Sequence, residues 1–505
     1  MLHTALALAP LLLVHPTASQ DTGPTDTPAT AAPVELDAGT WRYETGRRMR
    51  AMERAWAAAS EERRAAAVET IDGSVALFFR ADMAGVAREL DAARRLLVER
   101  DAEPSDVERA ADALAIVPST RLVAAGTERI ELRFASLYGA SDVLDDATIT
   151  LRTSDPGTGS ERIVGRAGEG VDGPFPLDLD GWSADRFLLR GELEVDGEVV
   201  PLAPLRLEIV ADLDARLAAL KEQVGRRSKL ADTIAAYTAH QYLGLLEDLV
   251  DGATLETDYP AGELLERAEF LADAQAEHEG DGEPSAAAAW IGAAGERWLA
   301  LPLAKGTSNV RLFVPSGIEP GERAPLVLAL HGAGGSQNLF FDGYGDGLAV
   351  DLARERGWIL VAPQVGFLGC PAAEIVDALA AHVPIDTDRV FVVGHSMGAA
   401  ATIGAAAKTP DRFRAIAALG GGGDATEAVA AIPVYLAAGA SDFGKRGVDA
   451  LAARLEGFGA ANLVHRTYEN TEHLLIVQRA LPDVFAFFDL FEAAVPGASA
   501  SDEQD

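Results

Sequence analysis

The stretch RVFVVGHSMGAAATIGAAAK, residues 389–408, runs from strand formers through a glycine-flanked serine into helix formers. Val390 to Val393 favour an extended, buried strand, and the Ala-rich segment after Met397 favours a helix. Gly394-His395-Ser396-Met397-Gly398 therefore reads as G-x-S-x-G, a strained strand-to-helix corner that lifts a serine oxygen clear of the backbone. A serine in a merely structural turn is the competing reading. The strand before it and the helix after it favour the nucleophile.

A serine at a helix N-terminus faces backbone N–H groups and the positive end of the helix dipole, where negative charge is stabilised. The Met397 N–H is the first candidate oxyanion donor. The second is expected from LALHGAGGS, Leu328 to Ser336, with Ala333 as the donor and His331 as part of the loop.

The serine needs a base. His473, in YENTEHLLIV, lies after the last expected strand and before the last helix, at the sheet edge where chemistry collects. His465 falls inside the preceding strand and is expected to be packed there, and His382 ends a helix. Asp442, in AAGASD after the penultimate strand, is the expected acid. Its rival is Asp424, which follows four glycines after the strand before.

From about Trp290 onward, apolar runs alternate with helical ones. RWLALPL, NVRLFVP, PLVLALHG, WILVAPQ, RVFVVGHS, RAIAALGG, PVYLAAGASD and LVHRTYEN read as strands. Helices are expected through Leu348–Arg356, Ala372–His382, Met397–Lys408, Val448–Leu455 and Val484–Phe491. Strands buried on both faces between helices imply a mostly parallel sheet covered on both sides.

With these motifs placed, residues Trp290 to Ala494, roughly two-fifths of the chain, resemble the α/β-hydrolase superfamily. The order of oxyanion loop, serine, acid and histidine is that superfamily's order. The resemblance implies Ser396 as nucleophile, Asp442 and His473 as its partners, and the HGAGG loop at the oxyanion. The loop and the GHSMG elbow look similar to secreted carboxylesterases of the feruloyl esterase and polyhydroxyalkanoate depolymerase type, and to prolyl-oligopeptidase-like catalytic domains. No long insertion interrupts the segment, so no large lid domain is expected. The upstream half lacks propeller repeats, which weakens the peptidase reading.

Upstream, the apolar stretch Ala5 to Val14 is too short to span a bilayer and reads as part of a signal peptide, residues 1–19. A flexible spacer, 20–45, is expected to follow. Residues 46–285 read as an N-terminal region: a scaffold helix pair up to about Pro104, a small β-sandwich between Thr120 and Val210, and helices over 212–250 and 261–277. Asp196-Gly197 marks a hairpin turn in the sandwich. EGDGEPS, 279–285, reads as a linker to a catalytic domain over 286–496, and 497–505 as a disordered tail.

The net charge of −35 makes an acidic surface that repels phosphate backbones and anionic lipid, so neither nucleic acid nor stable membrane insertion is expected. The single cysteine, Cys370, excludes an internal disulfide and a cysteine zinc site. The expectation is a secreted or periplasmic serine hydrolase acting on a small-molecule or polymeric ester, with no metal or organic cofactor. A serine peptidase and a non-catalytic binding protein on the same fold are the alternatives. Oligomeric state is not legible.

Overall fold

Eight strands form one sheet in the spatial order Gly295–Leu303, Gly306–Val314, Ile359–Pro363, Ala324–Leu330, Ile385–His395, Ala415–Leu419, Val434–Gly439 and Leu463–Tyr468. The first two strands pair antiparallel, and the second pairs antiparallel to the third. Every later pair is parallel. The eight runs read from sequence are these eight strands. The computed structural model describes residues 36–98, 103–139, 141–154, 160–167, 174–225, 233–278, 282–366 and 369–492. The expected signal peptide, most of the spacer, part of the linker and the C-terminal tail lie outside the described residues.

Alternation along each strand builds two cores. Leu326, Leu328 and Leu330 face one apolar layer with the helices Ala372–Ala380, Met397–Lys408 and Lys445–Gly457. Val327 and Ala329 face another with the helices Tyr344–Arg356 and Ile476–Asp489. This is an α/β-hydrolase fold, and it places the carboxyl ends of the parallel strands along one rim.

The final helix starts eight residues before the expected Val484, and the reason is Pro482, which sits inside it. Its missing N–H removes one intrahelical bond. The apolar face through Ile476, Val477, Ala480, Leu481, Val484 and Phe485 is nevertheless fully buried and sustains the helix.

Before this sheet, strands Leu114–Pro118, Arg129–Ser136 and Pro174–Asp178 form a three-stranded sheet. A six-stranded sheet shares with it one core of residues such as Leu132, Phe134, Ile149, Leu151 and Leu189. The expected hairpin joins Asp185–Val195 to Glu198–Pro201, with Asp196 and Gly197 both at positive φ as a type I′ turn needs. Helix Ile234–Val250 covers the otherwise open edge of the large sheet. Its Tyr242 hydroxyl donates to Trp298 O at 2.6 Å, and Thr238 Oγ1 accepts from Ala300 N–H at 3.0 Å.

The expected helix pair is three helices: α1 (Ala38–Ala58), α2 (Glu61–Phe78) and α3 (Met83–Leu97). The expected spacer is corrected here, because residues 38–45 are already helical. Asp37 accepts from Thr40 N–H at 2.7 Å and starts α1, and Ser60 and Asp82 cap the next two helices in the same manner. Buried Arg48 of α1 binds Asp91 of α3 at 2.7 Å and is also held by Glu44. The described residues belong to one compact unit, with α1–α3 packed on the large sheet's rim.

Candidate active site

Ser396 has φ 55° and ψ −111°, a conformation that costs a non-glycine residue about 1–3 kcal/mol. Both flanking glycines are needed for close approach. A Cβ on Gly394 would lie 2.1 Å from Gly398 O, and one on Gly398 would lie 2.0 Å from Leu330 O. The corner is anchored by Ser396 N–H donating to Leu419 O at 2.8 Å.

Ser396 Oγ lies 2.8 Å from His473 Nε2, and His473 Nδ1 lies 2.8 Å from Asp442 Oδ1. The carboxylate can only accept, so Nδ1 carries the proton and Nε2 is free to take the serine's. Asp442 and His473 are buried, at 4% and 3% exposure, while Ser396 is half-buried. Burial would raise the Asp442 pKa. The His473 hydrogen bond and charge, with the Gly444 N–H at 2.7 Å, outweigh that and hold it below its ordinary value.

The rival acid is not in the site. Asp424 is exposed, and the four glycines before it are packing surfaces rather than a loose loop. A Cβ on Gly420 would lie 2.8 Å from Asp442 Oδ2 and 3.2 Å from His473 Nδ1, and one on Gly421 would lie 2.5 Å from Ser396 O. His465, expected to be packed, is exposed instead and pairs with Asp449 at 3.0 Å, because its edge strand turns that face to solvent.

On the other side of the serine, the Gly332 carbonyl oxygen accepts from His331 Nδ1–H at 2.7 Å and from Gly335 N–H at 3.2 Å. A trans peptide points its N–H opposite to its C=O, so this clamp fixes the direction of the Ala333 N–H. His331 Nε2 accepts from Val365 N–H at 2.9 Å. Burial pushes the His331 pKa down, which keeps the ring neutral in this bracing role. The Met397 N–H opens the helix directly after the serine.

Several residues around the site were not singled out from sequence. His395, buried beside the serine, takes a hydrogen bond at Nδ1 from the Tyr344 hydroxyl at 2.6 Å and gives one from Nε2 to His473 O at 2.8 Å. Burial, with the nearby His473, pushes its pKa down to about 3. Glu472 is fully buried, and its carboxyl accepts from Leu474 and Leu475 N–H at 2.7 and 2.9 Å. Burial pushes its pKa up to about 8 against those two bonds, with the charges of Asp442 and Asp72 adding to the rise.

The N-terminal helices also reach the rim. Asp72 of α2 interacts electrostatically with Asp442 and His473, and burial followed by the Asp442 charge raises its pKa. Arg42 of α1 donates to Gly335 O at 3.2 Å. Leu475, two residues beyond His473, belongs to the same apolar cluster as Met52, Trp56 and Ile71. Only the spacing of His395 inside the elbow motif could have drawn attention to any of these residues.

Residues 370–437, which span the nucleophile strand, the elbow and the glycine run, match the family model described as "Putative esterase". No curated protein matches the chain. Among solved structures, a feruloyl esterase module from Clostridium thermocellum in complex with sinapinate is 14% identical, covers 42% of this chain and 95% of its own, and gives a TM-score of 0.35. An S-formylglutathione hydrolase from Staphylococcus aureus is 14% identical over 39% of this chain and 99% of its own, with a TM-score of 0.33. A thermostable esterase is 14% identical over 75% of this chain and 99% of its own, at 0.36. The family match likens the segment around the elbow to esterases, and the sheet order is that of the α/β-hydrolase fold. No group of His, Cys, Asp and Glu side chains suited to a metal occurs among the described residues.

Proposed function

We propose that the protein is a serine esterase that cleaves carboxylic esters through an acyl-enzyme on Ser396. Ser396 Oγ attacks the acyl carbon while His473 Nε2 takes its proton, and Asp442 stabilises the resulting imidazolium. The carbonyl oxygen, now negatively charged, accepts from the Ala333 and Met397 N–H groups. Collapse breaks the C–O bond, and the alcohol leaves with the proton from His473. A water then gives its proton to His473 and attacks the acyl carbon. The carboxylate product departs as Ser396 recovers its hydrogen.

The observation that carries this reading is the continuous chain from Ser396 through His473 to Asp442, with both links at 2.8 Å and the serine held at positive φ. Ser396→Ala should keep the fold and lower ester turnover by at least about a thousandfold. A fluorophosphonate should label the wild type alone. Retained turnover, or labelling of the variant, overturns the assignment. A peptide amide tested beside the matching ester separates the esterase from a peptidase.

Export is part of the same proposal, motivated by the apolar run Ala5 to Val14. Among the described residues no helix is long and apolar enough to cross a membrane. Sequencing of the protein recovered outside the cytoplasm should begin near Gln20; an intact Met1 there would remove the signal-peptide reading.

A further inference from the structure

Three phenylalanines lie exposed in one run across the mouth of the site. Phe443 directly follows the acid, and its ring is centred 4.0 Å from that of His473. Phe79 meets Phe443 edge to face at 5.9 Å, and Phe78 meets Phe79 edge to face at 5.6 Å. The far end of the run reaches the oxyanion loop, since a Cβ on Gly334 would fall 2.5 Å from Phe78 Cζ. The rings thus run from His473 to the Gly334 loop, the two segments between which half-buried Ser396 is placed.

Two of the three rings come from outside the hydrolase segment. Phe78 ends α2 and Phe79 opens the turn into α3. That turn is held in place from behind, by the apolar cluster of α1–α3 with Leu475. Phe78, Phe79 and Phe443 remain 39%, 48% and 55% exposed, although each touches another ring or the catalytic loops. Exposed apolar surface set against the catalytic histidine and the oxyanion loop is the kind that a substrate covers. Edge-to-face rings spaced in this way present further faces and edges to a flat apolar group.

Building on the esterase reading, we propose that Phe78, Phe79 and Phe443 form a substrate subsite, and that the preferred esters carry a planar, apolar group such as a phenyl ring. The tip of the N-terminal helices is therefore a specificity determinant, and an entire region outside the hydrolase fold selects the substrate.

The test compares kcat/KM for four esters without aromatic activating groups. Methyl 3-phenylpropanoate against methyl propanoate probes the acyl side, and 2-phenylethyl acetate against ethyl acetate probes the alcohol side. The wild type should favour the aromatic member of at least one pair by about tenfold or more, and the favoured pair tells which side of the ester enters the subsite. Phe79→Ala and the double variant Phe78→Ala/Phe79→Ala should lower that ratio by about tenfold, since each aromatic pair contributes a few-fold or more. Phe458→Ala, a similarly exposed ring at the far end of the helix Lys445–Gly457, should leave the ratio as it is. No aromatic preference in the wild type, or a preference untouched in Phe79→Ala, overturns the subsite while leaving the esterase reading intact. Failure to hydrolyse even ethyl acetate and methyl propanoate, with no fluorophosphonate labelling, overturns both. Because Phe79 is half exposed, its single variant reports on the subsite even if the double variant does not fold.

Discussion

His395 Nε2 donates a 2.8 Å hydrogen bond to the main-chain carbonyl oxygen of His473, so the residue before Ser396 holds the backbone of His473. Tyr344 fixes the other ring nitrogen, and with it the tautomer that makes this bond possible. The proposed nucleophile and base are thereby positioned by one side chain, although they stand 77 residues apart.

Replacing that side chain should act on the chemical step. His395→Asn is expected to lower kcat by about tenfold to a hundredfold, because small misplacements of a reacting group can cost about a hundredfold. KM should change by less than about threefold, since His395 is buried and does not face substrate. A loss confined to KM in steady-state measurements on the folded variant would contradict the positioning role.

Gly420 lies at φ 61° against both Asp442 and His473. Gly420→Ala should lower turnover by about tenfold or more, by pushing the carboxylate and the imidazole apart. Gly404, on the helix that follows the serine, has open space within 4 Å of where a Cβ would stand, and Gly404→Ala should be silent in the same assay.

The choice of acid predicts a clear ranking. Asp442→Asn should lower ester turnover by at least about a hundredfold, because His473 loses the acceptor that sets its tautomer. Asp424→Asn should lower it by less than about twofold, its carboxylate being in solvent. The reverse order in matched kinetics on both folded variants would move the acid to Asp424.

Glu472 should leave a signature in the pH dependence of stability. Its carboxyl is raised from about 4.5 in the unfolded chain to about 8 in the fold, so the folded state binds more protons between those values. Its contribution is full below about pH 4.5 and is lost as pH rises towards 8. In urea unfolding, Glu472→Gln should therefore gain stability relative to wild type as pH is raised from 5 to 8. A difference that stays constant across this range would show that Glu472 does not titrate there.

The separately expected catalytic segment should not suffice. A chain of residues 286–492 lacks the cluster that buries Leu475 and the hydrogen bonds that Arg42 and Glu53 make to Gly335 and Gly345. It is expected to lose at least about tenfold in kcat/KM on ethyl acetate, or to unfold at lower urea than the full chain. Full activity and stability in the segment would show that α1–α3 act on substrate choice alone.

The legible parts were those written in local patterns. Val390 to Gly398 announce a strand, a strained corner and a helix in consecutive residues, and Asp442 and His473 each directly follow a recognisable strand. Contacts between distant segments have no such period. Nothing near Phe78 or Asp72 says that they meet the catalytic rim, and nothing in the run of glycines says that its members pack against Ser396, Asp442 and Ile403. Tyr344 to Gly347 all adopt positive φ, so the regular right-handed helix runs from Leu348, as its apolar pattern led one to expect. Pro482 hid the first half of the final helix, since a residue unfavourable to helices is carried there by burial on both sides of it.

Arg42 and Gly335 are 293 positions apart, and Glu53 and Gln478, also hydrogen-bonded, are 425 apart. A growing chain emerges from its amino end, so α1–α3 are made well before their partner Leu475. Such distant pairings also close slowly. A nascent chain halted before residue 473 would hold the proposed nucleophile and acid but not the proposed base, and its aromatic rings would have no finished rim to sit on. On the proposed triad, hydrolytic competence thus waits until the chain has passed His473, and a shorter chain cannot attack an ester.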